Sequence, residues 1–149
     1  MSGAIQSMVT DGETILAAIA DVAGLAHTGW ASQIAGEGDI TALCPGAWIM
    51  PGACQQNSEA GRGRNASATR TWVVTINVAG DGRSPLEVEA APLVEAVRKR
   101  LTGLALEQGT RFRRLRYAAE PEPFYAPGYI EFPIEFDAPE HITGDKHHE

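Results

Sequence analysis

The sequence predicts an α+β domain: a mostly antiparallel sheet of about four to five strands with two main helices packed on one face. Three observations predict it. Apolar residues recur at helical spacing in two segments, near residues 10–24 and 84–103. Apolar residues at every second position mark TWVVTINV and YIEFPIEF as strands with one buried face. The segments follow the order helix, strand, long polar arm, strand, helix, strand, strand, with no internal repeat. At 149 residues one domain is expected, able to bury about 70% of its unfolded surface without staples.

The first helix is read from TDGETILAAIADVAG. Thr10 and Glu13 have capping-box spacing. Ile15, Leu16, Ile19, Val22 and Ala23 fall on one stripe, and Gly24 is the expected stop. LAHTGWASQIAGEGD is loop-like, with Trp30 and Ile34 tucked under the body. ITALCPGAWIM is one or two short strands broken at Pro45-Gly46. In TWVVTINV, Trp72, Val74, Ile76 and Val78 face inward. The second helix has Ser84, Pro85 and Glu87 at cap, first turn and capping-box positions. Pro92 then either kinks it or lies in the first turn of a helix starting near Ala91. Leu93, Val94, Val97 and Leu101 form its stripe in both cases. Arg98, Lys99 and Arg100 suit the negative end of its dipole, and Gly103 ends it. TRFRRLRYAAEP is an imperfectly alternating strand, which implies a bulge or an edge. PEPFYAPG is a proline-rich connection. In YIEFPIEF the residues Ile130, Phe132, Ile134 and Phe136 face in, while Pro133 points to an edge strand or a bulge.

This gives a folded body over residues 10–137, an extended flexible loop over 55–70 and a loose tail over 138–149. The loop, QQNSEAGRGRNASATR, holds no Val, Ile, Leu, Phe, Tyr or Trp. A hairpin turns in about two to five residues, so sixteen suggest an arm that reaches something.

Charge is segregated along the chain. Residues 1–61 carry −6, residues 62–116 carry +6 and residues 117–149 carry −7, for a net −7. Such a pattern suits a molecule with a basic and an acidic face, able to meet head to tail around a ring. The acidic balance argues against nucleic acid as the main partner. No run of about 18 apolar residues occurs to form a membrane-spanning helix. The N-terminus lacks a basic segment followed by an apolar stretch, so no secretory signal is read and a cytoplasmic setting is expected. Cys44 and Cys54 are ten residues apart, about 33 Å if extended, so two free thiols are expected rather than a disulfide.

No constellation for catalysis, cofactor or metal emerges. Of the four histidines, His141, His147 and His148 lie in the polar tail and His27 has no triad spacing. GEGD and GRGR lack the strand–glycine–helix context of a phosphate loop. Glu131 and Glu135 alternate on the outer face of the last strand, where a subunit contact or a solvated face suits them better than acid–base work. The arginine-rich segments are the strongest functional candidates: Arg62, Arg64 and Arg70 in the arm, and Arg111, Arg113, Arg114 and Arg116 in RFRRLR. Guanidinium groups pair with carboxylates on protein surfaces or with phosphates. With no aromatic stacking platform beside them and a negative chain, protein contact is the favoured reading.

The element order, the long polar loop between two strands, the D…PL stretch into one helix, the R…R strand and the final PGYIEFPIEF resemble the tail terminator proteins of long-tailed, lambda-like and Mu-like phages, over roughly residues 10–137. The resemblance implies a small α+β structural protein without catalytic residues or cofactor, assembled in the host cytoplasm into a homo-oligomeric, six-membered ring in the virion. It implies a ring seated on the tail tube protein, ending tube polymerisation and presenting a surface to the head–tail connector protein, with DNA at most passing through the lumen. A head-closure or tail-completion adaptor at the same junction is the alternative, followed by a nucleic-acid-binding module that uses the arginine-rich loop. A doubled-back sixteen-residue arm would reach roughly 25 Å from the sheet, far enough to overlap a neighbouring subunit.

Overall fold

The computed structural model describes residues 3–57, 65–80, 82–108 and 111–143. Its first helix, α1 (Gly3–Ile19), begins well before the expected cap. Thr10 is inside the helix, and its carbonyl accepts a hydrogen bond from Thr14 Oγ1. No glycine or proline interrupts residues 4–11, so the helix propagates backward through them. Ile15, Ile19 and Val22 are buried as the stripe requires. The chain then turns through Gly24, at φ +95°, a conformation glycine adopts without strain.

The segment expected as loop contains β1 (His27–Trp30), which pairs in parallel with β2 (Gly46–Gln56). Trp30 packs on Trp72, ring centroids 6.0 Å apart. Pro45 precedes β2 rather than breaking it, and β2 runs on to Gln56 with a register shift between Pro51 and Cys54. β3 (Asn65–Ala79) pairs with β2 on one side and with β8 (Tyr129–Thr143) on the other. Much of the expected arm is therefore ladder: Gln55 and Gln56 pair with Thr69 and Ala68, and Asn57 N–H reaches Ser67 O at 2.9 Å. Residues 58–64, with Arg62 and Arg64, lie outside the described residues. The tail expected from residue 138 is likewise strand through Thr143, because each residue from 138 to 143 has a partner on β3.

α2 (Leu86–Leu101) begins directly after Pro85 and carries Pro92 inside it, so the start near Ala91 is not the one adopted. Pro92 is exposed. The carbonyl it leaves without a helical donor belongs to Val88, a residue on the exposed side of the helix at 63% exposure, the side on which such a loss is tolerated. Ala90, Leu93, Val94, Val97 and Leu101 face the sheet.

The arginine-rich strand divides at Leu115. β4 (Ala105–Gln108) and β5 (Arg111–Arg114) form a small two-stranded sheet of their own. β6 (Arg116–Ala119) joins the main sheet against β8. Leu115, fully buried, ties the corner through Leu115 N–H to Leu104 O (2.9 Å) and Gly103 N–H to Leu115 O (2.8 Å). The proline-rich connection holds β7 (Phe124–Ala126), also paired with β8.

The main sheet is thus six-stranded and mixed, in the order β1-β2-β3-β8-β6 with β7 also on β8. The α+β class holds, with more strands than expected and one parallel pair. β8 is central rather than at an edge. Pro133 is accommodated because β6 partners β8 at 135–137 and β7 partners it at 129–131, leaving 132–134 without a neighbour on that side. Both helices cover one face, where Trp72, Val74, Ile76, Ile130, Ile134 and Phe136 form the core with Ile15, Ile19 and Val97.

Candidate interaction surface

The arginine-rich corner is built by strand alternation. Through residues 113–116 the burial pattern runs in, out, in, out: Arg113 buried, Arg114 exposed, Leu115 buried, Arg116 exposed. Arg113 is 7% exposed. Its Nη2 donates to Asp11 Oδ1 at 2.7 Å and its Nη1 to Asp11 Oδ2 at 3.0 Å, a two-pronged pair. Nη1 also donates to Pro139 O at 2.7 Å. Its Nε is buried with no hydrogen-bond partner.

A second pair stands beside the first. Arg70 Nε donates to Glu140 Oε1 at 2.8 Å, and Arg70 Nη1 to Gly52 O at 3.2 Å. Glu140 is 3% exposed, and the Cys54 thiol donates to its Oε2 at 3.5 Å. Burial pushes the Asp11 carboxyl above its ordinary value, opposed by the hydrogen bonds and charge of Arg113; Glu140 and Arg70 also act on it. The four charges form one ionic cluster joining α1, β3, β5 and β8. Burial, assisted by Glu140, pushes the Cys54 thiol up, so it stays protonated, and both cysteines are free.

Outside this cluster lies an open groove of about 570 Å³ lined by Ser67, Arg113, Arg114, Arg116, Glu140 and His141. It follows the stretch of β8 beyond Asp137, where β6 pairing ends. Arg114 uses Nη1 on Gly103 O at 2.8 Å. Arg116 is exposed, with no hydrogen-bond or ion-pair partner among the described residues. Arg70 and Arg113 are balanced internally by Glu140 and Asp11, so Arg114 and Arg116 supply the surplus positive charge.

Of the residues singled out from sequence, Arg113, Arg114 and Arg116 meet at this groove, and Arg70 stands behind it. Two of them hold positions other than those expected. Arg70 is fixed in β3 rather than carried on an arm, because Glu140 faces it from β8. Arg113 is inside the fold rather than on its surface, because strand alternation turns it toward Asp11. Arg111 is in β5, its side chain outside the described set. Glu131 and Glu135 do not join the groove. They sit half-buried on the sheet face opposite the helices, and burial pushes the Glu131 carboxyl up.

The sequence reading missed Asp11 and Glu140. Both had a signal. Asp11 is one helical turn before Ile15 on the buried stripe, and Glu140 continues the inward positions Ile134, Phe136 and Ala138. A carboxylate at a core position requires a basic partner.

Among the described residues no group of three or more His, Cys, Asp or Glu is arranged to hold a metal, and no helix is long and apolar enough to cross a membrane. The sequence model of the family described as phage tail terminator protein matches residues 7–146. No curated protein matches significantly. One solved structure is similar over 97% of this chain and 99% of its own, at 16% identity and a TM-score of 0.47; a likeness that weak carries no functional argument.

Proposed function

We infer, because the chain belongs to the phage tail terminator family, that this structural protein of the phage tail acts as a ring of copies, six in number, on the end of the tail tube. The ring stops further tube polymerisation and presents a surface to the head–tail connector, with DNA at most passing through its lumen. The family match over residues 7–146 carries this reading. Two features of the molecule support it. The exposed guanidinium groups of Arg114 and Arg116 offer charge-assisted contacts to a neighbouring protein surface. β2 and β3 stay paired out to Gln56 and Ala68, and the segment that joins them, with Arg62 and Arg64 in its sequence, would reach the adjacent subunit or the tube ring beneath. Glu131 and Glu135, on the uncovered sheet face, would belong to the contact with a partner. Charges of this kind set register and partner choice more than raw affinity.

The test is assembly. Purified protein, examined by sedimentation velocity and by negative-stain imaging with isolated tail tubes, should form six-membered rings or cap tube ends. A strictly monomeric protein that leaves tube ends bare overturns the reading. Arg62→Ala with Arg64→Ala should weaken that assembly while leaving the melting temperature of the monomer unchanged.

A further inference from the structure

We propose that the groove beside β8 is a carboxylate slot filled by the acidic end of a second copy of this chain. The inference rests on the ring-forming reading above and assigns its contact.

The groove is built for an oxyanion. Arg113 forms its inner wall, its Nη groups spent on Asp11 and Pro139 O, so the donors open to an occupant are those of Arg114 and Arg116. Arg116 is exposed and unpartnered among the described residues. Arg114 spends Nη1 on a carbonyl and keeps donors in reserve, since a guanidinium carries five N–H groups. The one carboxylate in the lining, Glu140, is held by Arg70. Planar, forked donors of this kind match a carboxylate.

The complementary charge is on the same chain, at the other end of the sheet. β3 and β8 run from the pair Asn65–Thr143, at the groove end, to the pair Ala79–Tyr129. Fourteen strand steps separate these ends, about 45 Å. At the far end, Glu87 accepts a hydrogen bond from Tyr125 of β7 at 2.9 Å. Glu131 is paired with Phe124 of β7, and exposed Glu122 precedes that strand by two residues. Arg83, in the connection to α2, is the cation of this end among the described residues. A basic slot at one end and carboxylates at the other make a head-to-tail contact, the type that closes into a ring. The same chemistry in isolation would suit a phosphate, but the acidic far end of this chain supplies the complement directly.

The decisive experiment is a charge exchange. Arg114→Glu/Arg116→Glu and Glu87→Arg/Glu122→Arg are made as two separate proteins. Each alone should lose self-association by at least about tenfold in sedimentation velocity, with the melting temperature of the monomer preserved. Mixed in equal amounts they should assemble again, since copies alternating around an even-numbered ring restore every groove-to-end contact. Wild-type assembly by either variant alone, or failure of the mixture to recover, overturns the slot. So does a result in which Arg114→Glu/Arg116→Glu keeps self-association and loses salt-sensitive binding to duplex DNA, which would assign the groove to phosphate. If the wild-type protein forms rings and the variants match it, only the slot fails. If the wild-type protein forms no rings in solution or on tubes, the ring reading itself fails.

Discussion

The inner face of the sheet changes chemistry halfway along its two longest strands. At the end near α2, β3 and β8 present Trp72, Val74, Ile76, Ile130, Ile134 and Phe136 to the helices, all fully buried. Beyond Trp72 and Ala138 the same face carries Arg70 and Glu140, and the neighbouring elements bring Arg113 and Asp11 to them. One half is held by removal of apolar surface from water, which is non-directional. The other is held by guanidinium–carboxylate pairs whose geometry must be satisfied atom by atom. The apolar half tolerates shape adjustments. The ionic half joins α1, β3, β5 and β8 through Asp11, Arg70, Arg113 and Glu140, and the groove lies immediately outside it.

Removal of one charge from the ionic half should do the most damage. Arg113→Ala leaves Asp11 as a buried carboxylate without a counterion and should cost about 3–5 kcal/mol in urea denaturation. Replacing both partners, Asp11→Leu with Arg113→Met, should recover most of that loss. A double variant as unstable as the single one would show that the pair contributes net stability rather than specificity. In the apolar half, Ile134→Ala should cost about 2–5 kcal/mol through lost burial and the cavity left behind. A cost under about 1 kcal/mol would mean that the face is looser than its burial implies.

A surface pair sets the lower end of the scale. Arg98 Nη1 and Glu120 Oε2 are 2.9 Å apart, with side chains 41% and 28% exposed, and Arg98→Ala should cost less than about 1 kcal/mol. A loss near that of Arg113→Ala would erase the distinction between buried and exposed pairs. Glu131 provides the smallest effect, with a sign of its own. Burial raises its carboxyl pKa, so the fold favours the protonated form and loses that contribution as pH rises through the folded value. Glu131→Gln should therefore raise the denaturation midpoint of the monomer slightly at pH 7. The gain should vanish in acid, where both carboxyl states are protonated. An equal gain at both pH values would exclude ionisation as its cause.

The apolar half was legible in the sequence. Trp72, Val74, Ile76 and Val78 alternate inward, Ile130, Ile134 and Phe136 do the same, and the stripe of the second helix is buried as read; in the first, Ile15, Ile19 and Val22 are buried while Leu16 is half-buried and Ala23 exposed. The family resemblance followed from that order of elements. The ionic half was not legible, because period-two reasoning treats an arginine or glutamate at an inward position as the end of a strand. The segments 65–70 and 138–143 were accordingly read as arm and tail, although each is ladder for the other. β1 was missed because HTGW is too short to show a period, and its parallel partner lies across a loop. Pro133 was read as an edge signal, since local sequence does not show that two separate short strands leave a gap opposite it.

The corner at Leu115 has a consequence for how this molecule tolerates change. Arg113 and Arg114 are adjacent in sequence yet face opposite sides of the backbone, and Leu115 pins the strand to the residues after α2 on both its N–H and its carbonyl. Gain of a single residue between Arg114 and that anchor would invert the two guanidinium groups, sending the outward one toward Asp11 and the inward one into water. Length variation among natural versions of this chain should therefore be purged from the corner.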